Sequence, residues 1–169
     1  MLTNTSETAI RALIYLALHR DAEPVSQRQI AREINASTTY LAKTLNVLVK
    51  AGILQSQHGA HGGVSFAQEP SAITLRSIVE ACQGIMLGNY CAELAYPEQL
   101  QQACAFHQAM HQVFQATVRV MEEWTLERLA QKPGPIGELV DARRCKMDFI
   151  CKTATDCRSA NHPAEEMRS

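Results

Sequence analysis

The stretch "SQRQIAREINASTTYLAKTLNVLVKAGILQSQHGAHGGVSFA", Ser26 to Ala67, leaves the chain few choices of fold. Ser26 followed by Gln29 is a capping-box pattern, and Ile30, Ala31 and Ile34 give the short helix after it one apolar side. "NAS" makes a tight turn. Ser37 then caps a second helix, in which Leu41, Leu45 and Leu48 face inward and Thr38, Thr39, Lys43 and Asn46 face outward. Gly52 sits where a helix C-terminus takes a left-handed residue. Two short strand-like runs around the glycine-rich "HGAHGG" follow, the pattern of a hairpin.

Two short helices across a tight turn, then a glycine-tipped hairpin, is the layout of a winged helix-turn-helix. The expected fold is mainly α with a small β-hairpin: an N-terminal winged helix-turn-helix plus a long dimerisation helix. Double-stranded DNA is the partner such a layout suits. The second helix can present Ser37, Thr38, Thr39, Tyr40, Lys43 and Thr44 to base edges and phosphates in the major groove. The hairpin tip, with His58, Gly59, His61, Gly62 and Gly63, can approach the backbone or minor groove because glycine removes side-chain bulk. Arg28 and Lys50 fit phosphate contacts, which position without reading sequence. Formal net charge is only −1, so binding must rest on a local patch. One exists: between Pro24 and Gly63 lie Arg28, Arg32, Lys43 and Lys50 against Glu33 alone. Small helical domains also contain such turns without meeting DNA, so spacing by itself leaves both readings open.

Ahead of this unit, Ile10, Leu13, Ile14 and Ala17 mark an amphipathic helix. Behind it, "TLRSIVEACQG" is a helix with Leu75, Ile78, Val79 and Cys82 on one face. From Glu98 to about Ala130 no Gly or Pro interrupts a long helical pattern. Along it Cys104, His107, His111, Phe114, Val118, Met121 and Thr125 recur at spacings of three and four, a heptad-like seam suited to another long helix. "KPGPIG" ends the pattern. The domains read as 1–83, a winged helix-turn-helix; 84–132, a sensor loop and dimerisation helix; and 133–169, a cysteine-containing tail. Hydrophobic residues make up 46% of the 169 and charged residues 20%, a globular balance with no apolar run of membrane-spanning length. No secretory signal pattern opens the chain, so a cytoplasmic location is expected. No Gly-rich phosphate loop, nucleophile elbow or paired-carboxylate constellation points to an enzyme.

The order "AIRALIYLA…PVSQRQIARE…STTYLAKTLNVLVKAGIL…HGAHGGVSFA…ITLRSIVEA" closely resembles the Rrf-type winged-helix regulators, over about Met1 to Ala130. That family includes an iron–sulfur assembly regulator, a nitric-oxide-sensing repressor and a cysteine-metabolism repressor. The resemblance implies a homodimer with crossing long helices, each protomer meeting half of a palindromic operator and acting as a repressor. Relatives commonly carry an arginine just before the wing glycines; His58 stands there here, and charge lost by His58 and His61 near neutral pH would weaken binding.

The resemblance also gives the cysteines a setting. In a reducing compartment the six are ligands, sensors or buried thiols more often than disulfides. In the cluster-binding branch three cysteines lie before and at the start of the long helix, sometimes with a histidine three residues on. Cys91 matches the first and Cys104 the last, and "CAFH" adds His107 on the same helical face. The middle cysteine is absent. A [2Fe–2S] or [4Fe–4S] cluster needs further ligands, mostly thiolates with imidazole tolerated. Glu7 resembles in position an acidic first-helix residue used by some relatives. His111 is another candidate, and Cys145, Cys151 and Cys157 in the tail are more remote ones. Zinc is the chemical rival, since Cys91, Cys104, His107 and His111 form a Cys2His2 set. Ordinary packing of Cys104, His107 and His111 in the seam, with no metal, is the third reading, and Cys82 reads as an inert buried thiol.

Overall fold

The computed structural model describes residues 2–57, 59, 62–84 and 103–131. Helix α1 (Asn4–Leu18) begins at an N-cap, Thr3, whose hydroxyl accepts from the Ser6 amide. A single 3-10 turn, Arg20–Ala22, leads to α2 (Gln27–Glu33) and α3 (Thr38–Lys50). Strands β1 (Leu54–Gln57) and β2 (Gly63–Phe66) pair antiparallel, with Leu54 opposite Phe66 and Gln57 opposite Gly63. Helix α4 (Leu75–Gln83) follows, then α5 (Ala105–Glu123) and the short α6 (Leu126–Gln131). The mainly helical fold with one hairpin is the expected class.

Helix α1 is the centre of the unit. Its sequence reads as one apolar stripe, yet Ala9, Ile10, Ala12, Leu13, Ile14, Tyr15 and Leu16 are all buried. It packs against α2, α3, α4 and α6, so nearly its whole circumference meets another element. A helix enclosed this way needs apolar residues all round, and the run "AIRALIYLAL" supplies them.

The helix-turn-helix is held by local chemistry. Ser26 caps α2 by accepting from the Gln29 amide at 3.2 Å, while the Gln29 side chain donates to the Tyr15 hydroxyl at 3.3 Å instead of closing the capping box. Helix α2 ends with Asn35 at φ 51°, where the Asn35 amide meets the Arg32 carbonyl and the Ala36 amide meets the Ala31 carbonyl. Helix α3 ends the same way at Gly52, φ 71°, with the Gly52 amide on the Val49 carbonyl and the Ile53 amide on the Leu48 carbonyl. Both are Schellman closures, which need a left-handed residue, and Asn and Gly are the residues that take it most readily.

The long helix differs from its expected span. Residues 98–102 lie outside the described residues, and Cys104 is the N-cap of α5, so the described helix starts at Ala105. At the other end it stops at Glu123. Trp124 is extended, and its carbonyl accepts from the Leu75 amide at 2.7 Å; the Leu126 amide reaches the Ile73 carbonyl at 2.8 Å. This pairing of 124–126 with 73–75 turns Leu126, 0% exposed, into the core and breaks the helix without glycine or proline. The predicted seam is correspondingly divided. Met121 is in the core and Phe114 and Val118 are half-buried against their own protomer, while His111 is exposed. One residue round the helix, Phe106, Val113 and Val120 repeat every seven positions at 60%, 54% and 48% exposure. Trp124, just past the helix end, is 40% exposed, with the Arg128 guanidinium 4.6 Å over its ring.

Candidate nucleic-acid interface

Helix α3 is amphipathic in a way that fixes its orientation. Leu41, Leu45 and Leu48 are 0–1% exposed and anchor the inner face. Thr39, Lys43, Asn46 and Lys50, at helical spacing, are exposed on the outer face, with Ser37 and Thr38 exposed at its head. Ser37 is the N-cap but its hydroxyl makes no capping bond, so the first-turn amides of α3 keep their donors for an outside acceptor. A helix N-terminus with free amides and flanking hydroxyls suits a phosphate oxygen. Lys43 and Lys50 form no ion pair among the described residues, whereas Arg32 is paired with Glu33 at 2.9 Å. Arg28 is exposed on α2.

Two predicted α3 contacts make hydrogen bonds within the protomer. Thr44 is 1% exposed, and its hydroxyl donates to the Tyr40 carbonyl at 3.1 Å; it stabilises its own helix and faces no groove. Tyr40 is 38% exposed on the flank of the helix, its hydroxyl 2.9 Å from the Thr5 hydroxyl of α1. Sequence spacing puts Tyr40 and Thr44 next to the outer face; the bond of Tyr40 to α1 and the burial of Thr44 distinguish them from Thr39 and Lys43.

The wing glycines separate into distinct roles. Gly59 has φ 115°, and its carbonyl accepts from the Gly62 amide at 2.9 Å, closing the tip. A Cβ on Gly62 would meet the Gln57 carbonyl oxygen at 2.5 Å. Gly63 is not at an exposed tip as predicted. It is buried in β2, and a Cβ there would lie 2.4 Å from the Val25 carbonyl oxygen. Val25 pairs with Val64 on the far side of β2, each amide bonding the other's carbonyl at 3.0 and 2.9 Å. His58 and His61 lie outside the described residues.

The cysteine–histidine set is partly assembled. Cys104 is exposed at the head of α5, its Sγ 3.1 Å from Nδ1 of His107 one turn along. His111, a further turn on, has Nε2 3.5 Å from the Gln115 side-chain amide. Glu7 is half-buried in the first turn of α1. Among the described residues no three His, Cys, Asp or Glu side chains converge as a metal site. Cys91, Cys145, Cys151 and Cys157 lie outside the described residues. Cys82 is half-buried against the core, and desolvation pushes its thiol up to about 11, which keeps it protonated and unreactive. No described helix is long and apolar enough to cross a membrane.

The sequence family described as "Rrf2: Iron-dependent Transcriptional regulator" matches residues 2–132. The chain belongs to the Rrf2 family. Rrf2 proteins are transcriptional regulators that bind DNA, not enzymes. The chain is 28% identical over 151 residues to the HTH-type transcriptional regulator NsrR of Geobacillus kaustophilus, covering 85% of this chain and 98% of that protein. Its structure is similar to that of CymR, the global cysteine regulator of B. subtilis, with TM-score 0.63 and 27% identity over 78% of this chain and 96% of that one. T. potens IscR shares the fold, with TM-score 0.65 and 22% identity over 86% and 96% of the two chains. The Rrf2 match spans the winged helix-turn-helix and runs through α6.

Proposed function

We propose that this Rrf2 regulator is a cytoplasmic homodimeric repressor that reads a palindromic operator with α3 and senses iron–sulfur status or redox stress at the head of α5. The observation that carries the DNA reading is the outer face of α3: Thr39, Lys43, Asn46 and Lys50 stand clear on a helix whose inner face is locked in the core. Ser37, Thr38 and Thr39 add hydroxyls at an uncapped helix head, and Arg28 adds a cation on α2. Gly59 and Gly62, flanked by His58 and His61, would bring the wing to the backbone or minor groove. Lys43 projects from the second turn of α3, where a groove-bound helix meets base edges and phosphates.

For the sensor, Cys104 and His107 offer a thiolate and an imidazole on one helical turn, donors that fit an iron–sulfur cluster. Cys91 would be the third ligand, with Glu7 or His111 completing the set and Cys145, Cys151 or Cys157 as more remote donors. A cluster held there would supply reversible one-electron chemistry. Because Cys104 is the N-cap of α5, whatever it holds acts on the start of the helix that bears the Phe106–Val113–Val120 stripe. Residues 1–83, 84–132 and 133–169 then divide into DNA reading, sensing with dimerisation, and tail. The description of the family as iron-dependent is the comparison that favours this sensing over a plain structural zinc.

Two experiments test this reading. Lys43→Ala is expected to weaken binding about tenfold to duplexes that the wild-type protein selects from a random pool. Unchanged affinity contradicts the α3 assignment. Protein purified without oxygen is expected to absorb visible light and to carry iron and sulfide, both lost on Cys104→Ala; colourless protein holding zinc instead would replace the cluster with a structural metal.

A further inference from the structure

We infer that the first turn of α1 positions the recognition helix, with Thr5 and Gln83 as the positioning residues. This rests on the reading of α3 as the helix that meets DNA. Thr5 shares a 2.9 Å hydrogen bond with the Tyr40 hydroxyl in the first turn of α3. Six residues further along α1, the Arg11 guanidinium donates to the Ile34 carbonyl at the end of α2. Helix α1 therefore grips the helix-turn-helix at its turn and at the head of α3.

The opposite side of the same turn is tied to α4. The side-chain carbonyl of Gln83, the last residue of α4, accepts from the Thr3 amide at 3.1 Å and from the Ser6 hydroxyl at 2.8 Å. Ser6 has one hydroxyl proton, and Gln83 takes it, so the Thr3 hydroxyl donates to Ser6 Oγ at 3.0 Å while accepting from the Ser6 amide at 3.2 Å. Ser6 is 0% exposed. A buried hydroxyl deprived of its acceptor loses more than one formed bond gains, so the turn follows Gln83 when Gln83 moves. Gln83 precedes the chain that carries Cys91, and Thr5 sits between Ser6 and the recognition helix. Two hydrogen bonds, Gln83–Ser6 and Thr5–Tyr40, joined by the peptide bond between Thr5 and Ser6, link the end of α4, ahead of the segment bearing a proposed ligand, to the head of α3.

Variants that remove one group at a time test the path. Thr5→Val and Tyr40→Phe are each expected to weaken binding to the selected duplex about fivefold, the effect of one hydrogen bond. Thr5→Ser is expected to restore it, and affinity for a scrambled duplex is expected to stay unchanged. Because the two hydroxyls share one bond, the double variant should bind no worse than either single one. Wild-type affinity in Thr5→Val, or additive losses in the double variant, overturns the inference. Should the wild-type protein select no sequence at all, the DNA reading itself fails, and amide exchange still decides the path. Gln83→Met changes the far end of the path, yet is expected to speed exchange of the Leu41–Thr44 amides about fivefold at an unchanged melting temperature. Faster exchange confined to the first turn of α1 contradicts it.

Discussion

Val113→Asp is expected to leave the protomer folded, convert the protein to monomers and lower operator affinity on the order of a hundredfold or more. Among the described residues α5 gives only Met121 to the buried set of its own protomer, while Phe106, Val113 and Val120 stay 48–60% exposed at a strict seven-residue repeat. That repeat is the pattern of a helix with a partner helix beside it. Val113 is at the middle of the stripe, so a carboxylate there would be desolvated at the centre of the proposed interface. It is exposed in the single chain, so the same change costs the fold little. A dimer binds its second half-site intramolecularly, and a monomer loses that advantage entirely. Sedimentation and a shift assay read the two effects separately. A Val113→Asp protein that remains dimeric places the interface elsewhere.

Gly63→Ala is expected to destabilise the fold by about 3 kcal/mol in urea unfolding, a large effect for one methyl group. The added Cβ would lie 2.4 Å from the Val25 carbonyl oxygen and 2.6 Å from its carbon, and backbone atoms cannot swing aside as a side chain can. Relief requires Val25 to retreat, which breaks the paired bonds between Val25 and Val64. The wing would then lose the bridge by which Val25 pairs with β2. Gly59→Ala makes a useful contrast, since its Cβ meets nothing within 4 Å and the cost is only that of φ 115°. A Gly63→Ala protein as stable as wild type would mean that the Val25 segment yields freely.

Much of the helix-turn-helix was legible in the sequence because its determinants are local. The Ser26 cap, the turn at Asn35, the Gly52 closure and the Leu41–Leu45–Leu48 face all depend on residues within a few positions. What escaped was non-local. Gly63 reads as a flexible tip residue until Val25, far back in the chain, is laid against it. Tyr40 and Thr44 read as groove-facing until the Tyr40 hydroxyl is found on Thr5 of α1 and the Thr44 hydroxyl buried on its own helix. The seam read on α5 is divided between the core and solvent, and apolar residues line the neighbouring stripe as well. Only the diversion of Met121 and Leu126 into the core shows which stripe is left over. Of the proposed sensor, the Cys104–His107 pair was legible because three residues is one helical turn. The remaining candidates are scattered along the chain, and no local spacing can bring them to that turn.

Two copies of α3 reading one operator would leave a paired mark in a hydroxyl-radical footprint on a duplex selected by the wild-type protein. The account predicts two symmetric protected half-sites about 10 base pairs apart, one helical turn or a multiple of it, centre to centre. It also predicts that Lys43→Ala weakens protection of both half-sites together. A single protected half-site, or a footprint indifferent to Lys43, would contradict it.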